Sequence, residues 1–143
     1  MQYAALPFRI GPRGRPEILL LTSRGTRRWV IPKGWPMRNR KPRDAAAQEA
    51  YEEAGLVGRM LGKRAVGTYD YDKMITPTAS VPCVVKVFLF EVERQLDDWP
   101  EMQERQVRWF DPREASALVA EPGLAKLLRK TEELVRQGKS GGG

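Results

Sequence analysis

Glu49, Glu52 and Glu53 stand at i, i+3 and i+4 in an alanine-rich stretch. On a helix, at about 100° per residue, that spacing puts all three carboxylates on one face. Uncompensated, like charges so close cost a few tenths of a kcal/mol per pair. A divalent cation held between them reverses that penalty. Taken alone, the stretch Glu49 to Gly55 reads more readily as a solvated acidic stripe.

The rest of the composition narrows the chemistry. The chain has no histidine and one cysteine, Cys83. Serine–histidine and cysteine–histidine triads are therefore excluded, as are zinc sites built on histidine or several thiolates. Acid–base and metal chemistry falls to Asp, Glu, Lys and Tyr. Hard oxygen donors select Mg²⁺, Mn²⁺ or Ca²⁺. The net charge is +7, from 25 Lys and Arg against 18 Asp and Glu. Such a surface draws polyanions, whether phosphorylated small molecules, nucleic acid or anionic lipid. Charge alone does not choose among them.

These residues need elements to position them. The length, 143 residues, suits a single domain able to bury a core without disulfides. Residues Met1 to Ile10, Glu17 to Thr22 and Trp29 to Ile31 read as strands separated by polar turns. Gly34 to Arg43 forms a basic loop. A helix is expected from about Pro42, with Pro and Asp44 in its first turn and Gly55 as its stop. Val57 to Leu61, Arg64 to Tyr71, Val81 to Glu93 and Val107 to Phe110 read as further strands, with Lys73 to Ser80 as a loop. Asp111 starts a short helix. Pro122 to Gln137 reads as one final helix with leucines along one stripe. The expected organisation is a domain over residues 1–137 and a flexible glycine-rich tail over 138–143. No apolar run approaches the ~20 residues of a membrane helix, and no secretory signal is recognised at the N-terminus. With its lone cysteine, the chain reads as cytoplasmic.

Gly34, Glu49, Glu52, Glu53, Gly55 and Leu56 have a fixed spacing that resembles the Nudix box, G-x5-E-x7-R-E-U-x-E-E-x-G-U, with U a bulky apolar residue. Ala50 takes the first U position. The lead-in Arg28 to Gly34 and the later run Gln106 to Ala115 look like the strand segments that flank the box in this family. Two positions depart: Arg40 stands at the first glutamate and Gln48 at the arginine. The resemblance implies an α+β, α/β/α sandwich whose mixed sheet lies between the box helix and the C-terminal helix. It implies a pyrophosphohydrolase holding Mg²⁺, with Mn²⁺ as an alternative, on Glu49, Glu52 and Glu53. Glu52, Glu53 and a carboxylate outside the box, Glu104 or Glu101, are the catalytic candidates. Lys33, Arg38, Arg40, Lys41 and Arg43 are expected to surround a polyphosphorylated substrate. The family group most resembled acts on diphosphoinositol polyphosphates and diadenosine polyphosphates.

Two rival readings stand beside the hydrolase. The departures at Arg40 and Gln48 motivate a catalytically silent module that binds a nucleotide or inositol phosphate. The charge alone motivates an RNA-binding protein, which ranks last for want of any RNA-recognition motif. Gly138-Lys139-Ser140 imitates the end of a phosphate-binding loop, but Glu133 stands where that loop needs glycine.

Overall fold

A computed structural model describes residues 1–140. Its centre is a mixed sheet in which β1 (Gln2–Ile10) pairs antiparallel with β2 (Pro16–Thr22) and parallel with β7 (Ala79–Gln95). Beyond β2 lie β3 (Trp29–Val30) and β8 (Val107–Phe110). Along its outer edge β7 carries first β6 (Gly67–Thr76) and then β5 (Leu56–Met60). The two-residue β4 (Lys33–Gly34) pairs with the start of β1, Lys33 opposite Ala4 and Gly34 opposite Tyr3.

The central strands are apolar on both sides because both sides are covered. Leu6, Phe8, Ile18, Leu20, Val87 and Leu89 meet Leu124, Leu127, Leu128 and Val135 on one face. Those last four belong to α3 (Pro122–Arg129) and α4 (Thr131–Ser140). On the other face Leu19, Leu21, Phe88 and Phe90 meet Ala46, Ala50 and Ala54 of α1 (Pro42–Ala54). Alanine every fourth residue lets α1 lie close on the sheet, which is the sandwich the sequence resemblance implied.

Alpha-1 ends at Gly55, whose φ of 68° is the left-handed conformation glycine tolerates best. A Cβ there would also lie 2.3 Å from Cε3 of Trp99. Gly55→Ala is therefore expected to cost about 2 kcal/mol of stability, the scale of a strained backbone position. A lower denaturation midpoint at unchanged slope is the signature to look for. An unchanged midpoint would mean that the Trp99 loop yields freely.

Three expectations are corrected. Lys73 to Ser80 is not a loop: β6 continues to Thr76 and β7 begins at Ala79, leaving a tight hairpin. Pro77, which suggested a loop, falls in the turn itself, and cross-strand pairing carries the strands up to it on both sides. The final helix is two helices, because Lys130 leaves helical geometry and the Thr131 hydroxyl donates to the Leu128 carbonyl. The tail expected over 138–143 starts too early, since α4 runs through Ser140. Gly138 lies against Leu61, where a Cβ would meet Cδ2 at 2.8 Å, and Lys139 pairs with Glu91 at 3.0 Å. The remainder of that expected tail, residues 141–143, lies outside the described residues. Alpha-2 (Pro112–Leu118) starts where expected, with the Asp111 carboxylate accepting from the Arg113 amide.

Candidate active site

Where β4 crosses the flank of α1, a cleft of about 580 Å³ opens. Glu49 and Glu53 enter it from the helix, Lys33 and Gly34 from β4, and Glu101 and Arg105 from the loop before β8. Tyr71 and Lys73 enter from β6, two residues apart and therefore on the same face of the strand. Trp35 stands half-exposed in the wall, with the Lys73 ammonium 5.8 Å from its ring centre.

The carboxylates are held at close quarters. Glu53 is 4% exposed, and Glu49 lies beside both Glu53 and Glu52. Burial raises the pKa of Glu53 well above the ordinary carboxylate value, against the pull of Arg105, and Glu49 reinforces the rise. Burial also raises Glu49; neighbouring Glu53 opposes this and the Glu52 charge adds to it. Burial lowers the Lys33 ammonium, while Glu53 and Glu121 pull it back up. The Tyr71 phenol, pushed up to about 12 first by burial and then by neighbouring Cys83 and Glu121, keeps its proton and donates it to Gln2 Oε1.

This donor set suits a hard divalent cation. It is all carboxylate, and an added positive charge relieves the burial and crowding that raise Glu49 and Glu53. Among the described residues no three carboxylates are already gathered as a finished ligand set. Glu49 is the member in touch with both others. Its position depends on Gly34, where a Cβ would lie 2.3 Å from Glu49 Oε2.

The two departures from the box are coupled to each other. Arg40 Nη1 donates to Gln48 Oε1 at 3.4 Å, and Gln48 Nε2 donates to Glu52 Oε1 at 3.2 Å. Gln48 thus steadies Glu52 from within the helix. The Glu52 carbonyl also accepts from the Glu101 amide at 2.9 Å, which ties the late loop to α1.

Other expected site residues are placed differently. Glu104 is turned to Arg24, 3.2 Å away, and does not line the cleft. Glu101 does, held by Arg105 Nε at 2.9 Å. Arg38 is exposed beside cleft-lining Met37, and Arg40 lies with Gln48 in a separate depression. Lys41 and Arg43 face a different cleft altogether. A helix starting at Pro42 carries its first-turn side chains away from Glu49 and Glu53, which sequence proximity could not reveal. Reading the sequence missed Arg24, Trp35, Tyr71, Lys73 and Arg105. For Arg105 there was a signal: it follows Glu101 by four residues and pairs with it. Tyr71 falls at the end of an expected strand that gives no hint of the cleft, and Lys73 falls in an expected loop, so their shared face is not visible in the sequence.

Comparison with known proteins decides the family. The NUDIX domain model matches residues 2–131. The chain belongs to the Nudix family. This Nudix domain is 29% identical over 123 residues to "Nudix hydrolase 12, mitochondrial" of Arabidopsis thaliana, covering 84% of the chain and 59% of that relative. It is 32% identical over 114 residues to human "Diphosphoinositol polyphosphate phosphohydrolase 3-alpha", covering 78% of the chain and 64% of the relative. The chain thus spans about three-fifths of the length of these curated relatives. Among solved structures, the C. elegans Ap4A hydrolase shares the fold with a TM-score of 0.71, at 22% identity over 94% of this chain and 96% of that one. No helix of the Nudix domain, among the described residues, is long and apolar enough to cross a membrane.

Proposed function

We propose that this Nudix domain is a Mg²⁺-dependent pyrophosphohydrolase that cleaves a phosphoanhydride bond in a polyphosphorylated small molecule. The single observation that carries the proposal is the cleft in which Glu49, Glu53 and Glu101 face Lys33, Lys73 and Arg105. Carboxylates to hold a cation lie there beside cations to hold phosphate oxygens.

Glu49, Glu52 and Glu53 would hold Mg²⁺, with Mn²⁺ as an alternative; the bound ion neutralises a diphosphate and makes water more acidic. Lys33, Lys73 and Arg105 would bind the non-bridging phosphate oxygens, and Arg24 lies at the rim. Water oxygen attacks phosphorus, the bridging oxygen leaves with the electron pair of the broken bond, and the water proton passes to a carboxylate. Glu101, the cleft-lining carboxylate outside the box helix, is the proposed acceptor. Arg105 orients it, bonding Glu101 at 2.9 Å and reaching Glu53 at 3.9 Å.

Within this substrate class Trp35 favours a dinucleoside polyphosphate. Its half-exposed ring offers a stacking surface beside the phosphate-binding cations. Stacking of a base on an aromatic side chain contributes about 1–3 kcal/mol. Trp35→Ala is expected to raise KM for a dinucleoside polyphosphate roughly tenfold, leaving KM for a diphosphoinositol polyphosphate nearly unchanged. Equal effects on both substrates would remove the stacking role. Turnover of both, at low millimolar Mg²⁺, tests the wider proposal. Tight binding without turnover at any divalent ion would instead favour the silent binding module. The buried, unpaired Cys83 accords with a reducing compartment such as the cytoplasm.

A further inference from the structure

A second basic cleft, of about 640 Å³, lies against α1 and shares no lining residue with the catalytic cleft. Lys41 and Arg43 reach it from the start of α1, Lys63 and Arg64 from the link between β5 and β6, and Lys86 from β7. No carboxylate lines it. Among the described residues none of these five cations enters an ion pair; the pairs belong to Arg9, Arg24, Arg59, Arg105 and Lys139.

Five unpartnered cations around one concavity repel each other, and Lys86 and Arg43 are half-buried, where water screens that repulsion less. An arrangement that costs the free protein is relieved by a bound polyanion. Three separate chain segments supply the charges, so this is not the solvated face of one helix. The first turn of α1 opens beside it, and Lys41 supplies no side-chain cap, so the positive helix end adds to the attraction.

We infer that this cleft binds a compact polyphosphate, a small molecule with several phosphates close together, at a site separate from the catalytic one. Its volume falls in the range of small-molecule sites. The aromatic ring on its floor, Phe88, is 5% exposed and offers no face for a base to stack on. Single-stranded nucleic acid, which needs such stacking platforms along an extended track, is disfavoured. The site goes beyond the hydrolase reading and does not depend on it.

Calorimetric titration with inorganic tripolyphosphate in EDTA tests the inference, because without metal the catalytic carboxylates repel the probe. Wild type is expected to bind. The Lys63→Gln, Arg64→Gln, Lys86→Gln triple variant should bind roughly tenfold more weakly or worse. A control with the same charge loss elsewhere, Arg13→Gln, Arg15→Gln, Arg136→Gln, should stay within about twofold of wild type. The exposed pair Lys63→Gln, Arg64→Gln alone should show an intermediate loss, which guards against misfolding around Lys86. Equal weakening in the triple variant and the control would overturn the site, as would no weakening in either. Tighter binding of a short oligouridylate, lost in the same triple variant, would overturn the compact ligand in favour of RNA.

Discussion

Glu53→Gln is expected to lower kcat about a thousandfold while leaving the free protein at least as stable as wild type. The two halves of this expectation have one cause. Glu53 is 4% exposed and stands beside a second carboxyl, Glu49, so its ionised form is held in an unfavourable place. A neutral amide of the same shape removes that cost in the absence of metal. It also removes a charge from the proposed cation site, where several kcal/mol of charge stabilisation are at stake, and each 1.36 kcal/mol is a factor of ten in rate. Arg105 keeps its bond to Glu101 in the variant, so the late loop remains anchored. Steady-state kinetics with thermal denaturation in EDTA measures both halves. A variant that loses stability as well as activity would make Glu53 a structural residue, with its ion pair to Arg105 as the reason. A variant that keeps its activity would remove it from the chemistry.

Gly34→Ala is the second large effect. The added methyl would stand 2.3 Å from Glu49 Oε2 and 2.4 Å from its carboxyl carbon, so the Glu49 side chain must turn away. What moves is a side chain and not the sheet: β4 retains its pairing with Tyr3 and Ala4. Displacing a reacting or ligating group by about 1 Å costs on the order of a hundredfold in rate. The expected result is a hundredfold loss of kcat/KM with a melting temperature near that of wild type. A higher Mg²⁺ concentration should recover part of the loss, because the weakened step is proposed to be metal binding. A variant with wild-type kinetics would mean that Glu49 has room to spare and that Gly34 serves the turn alone.

The sequence carried the box helix well, because its information is local. Proline and aspartate at the start, alanine through the middle and glycine at the end each act within a turn or two, and α1 runs from Pro42 to Ala54. The apolar runs of β2 and β7 marked them as strands. Pairing partners left no such local trace: that β7 lies parallel to β1 follows from the whole topology. The site divides in the same way. Glu49 and Glu53, which line the cleft, stood out by their spacing on one helix, whereas Glu52 of the same set is not among the lining residues. Lys33 reaches the cleft through a two-residue strand, and Tyr71 and Lys73 through a hairpin whose turn holds Pro77. Lys41 and Arg43 were expected around the substrate because they are close to the box in sequence, but they face another cleft. Arg40 and Gln48 look like two losses when read singly. In space they form one chain of contacts ending on Glu52.

The most direct test of the central claim compares wild type with Glu53→Gln on one dinucleoside polyphosphate, each with Mg²⁺ and with EDTA, following release of nucleotide. The account predicts turnover only for wild type with Mg²⁺, and none above background in the other three reactions. Turnover that persists in EDTA, or in the Mg²⁺-supplied variant at the wild-type rate, would contradict a carboxylate-held cation as the centre of the chemistry.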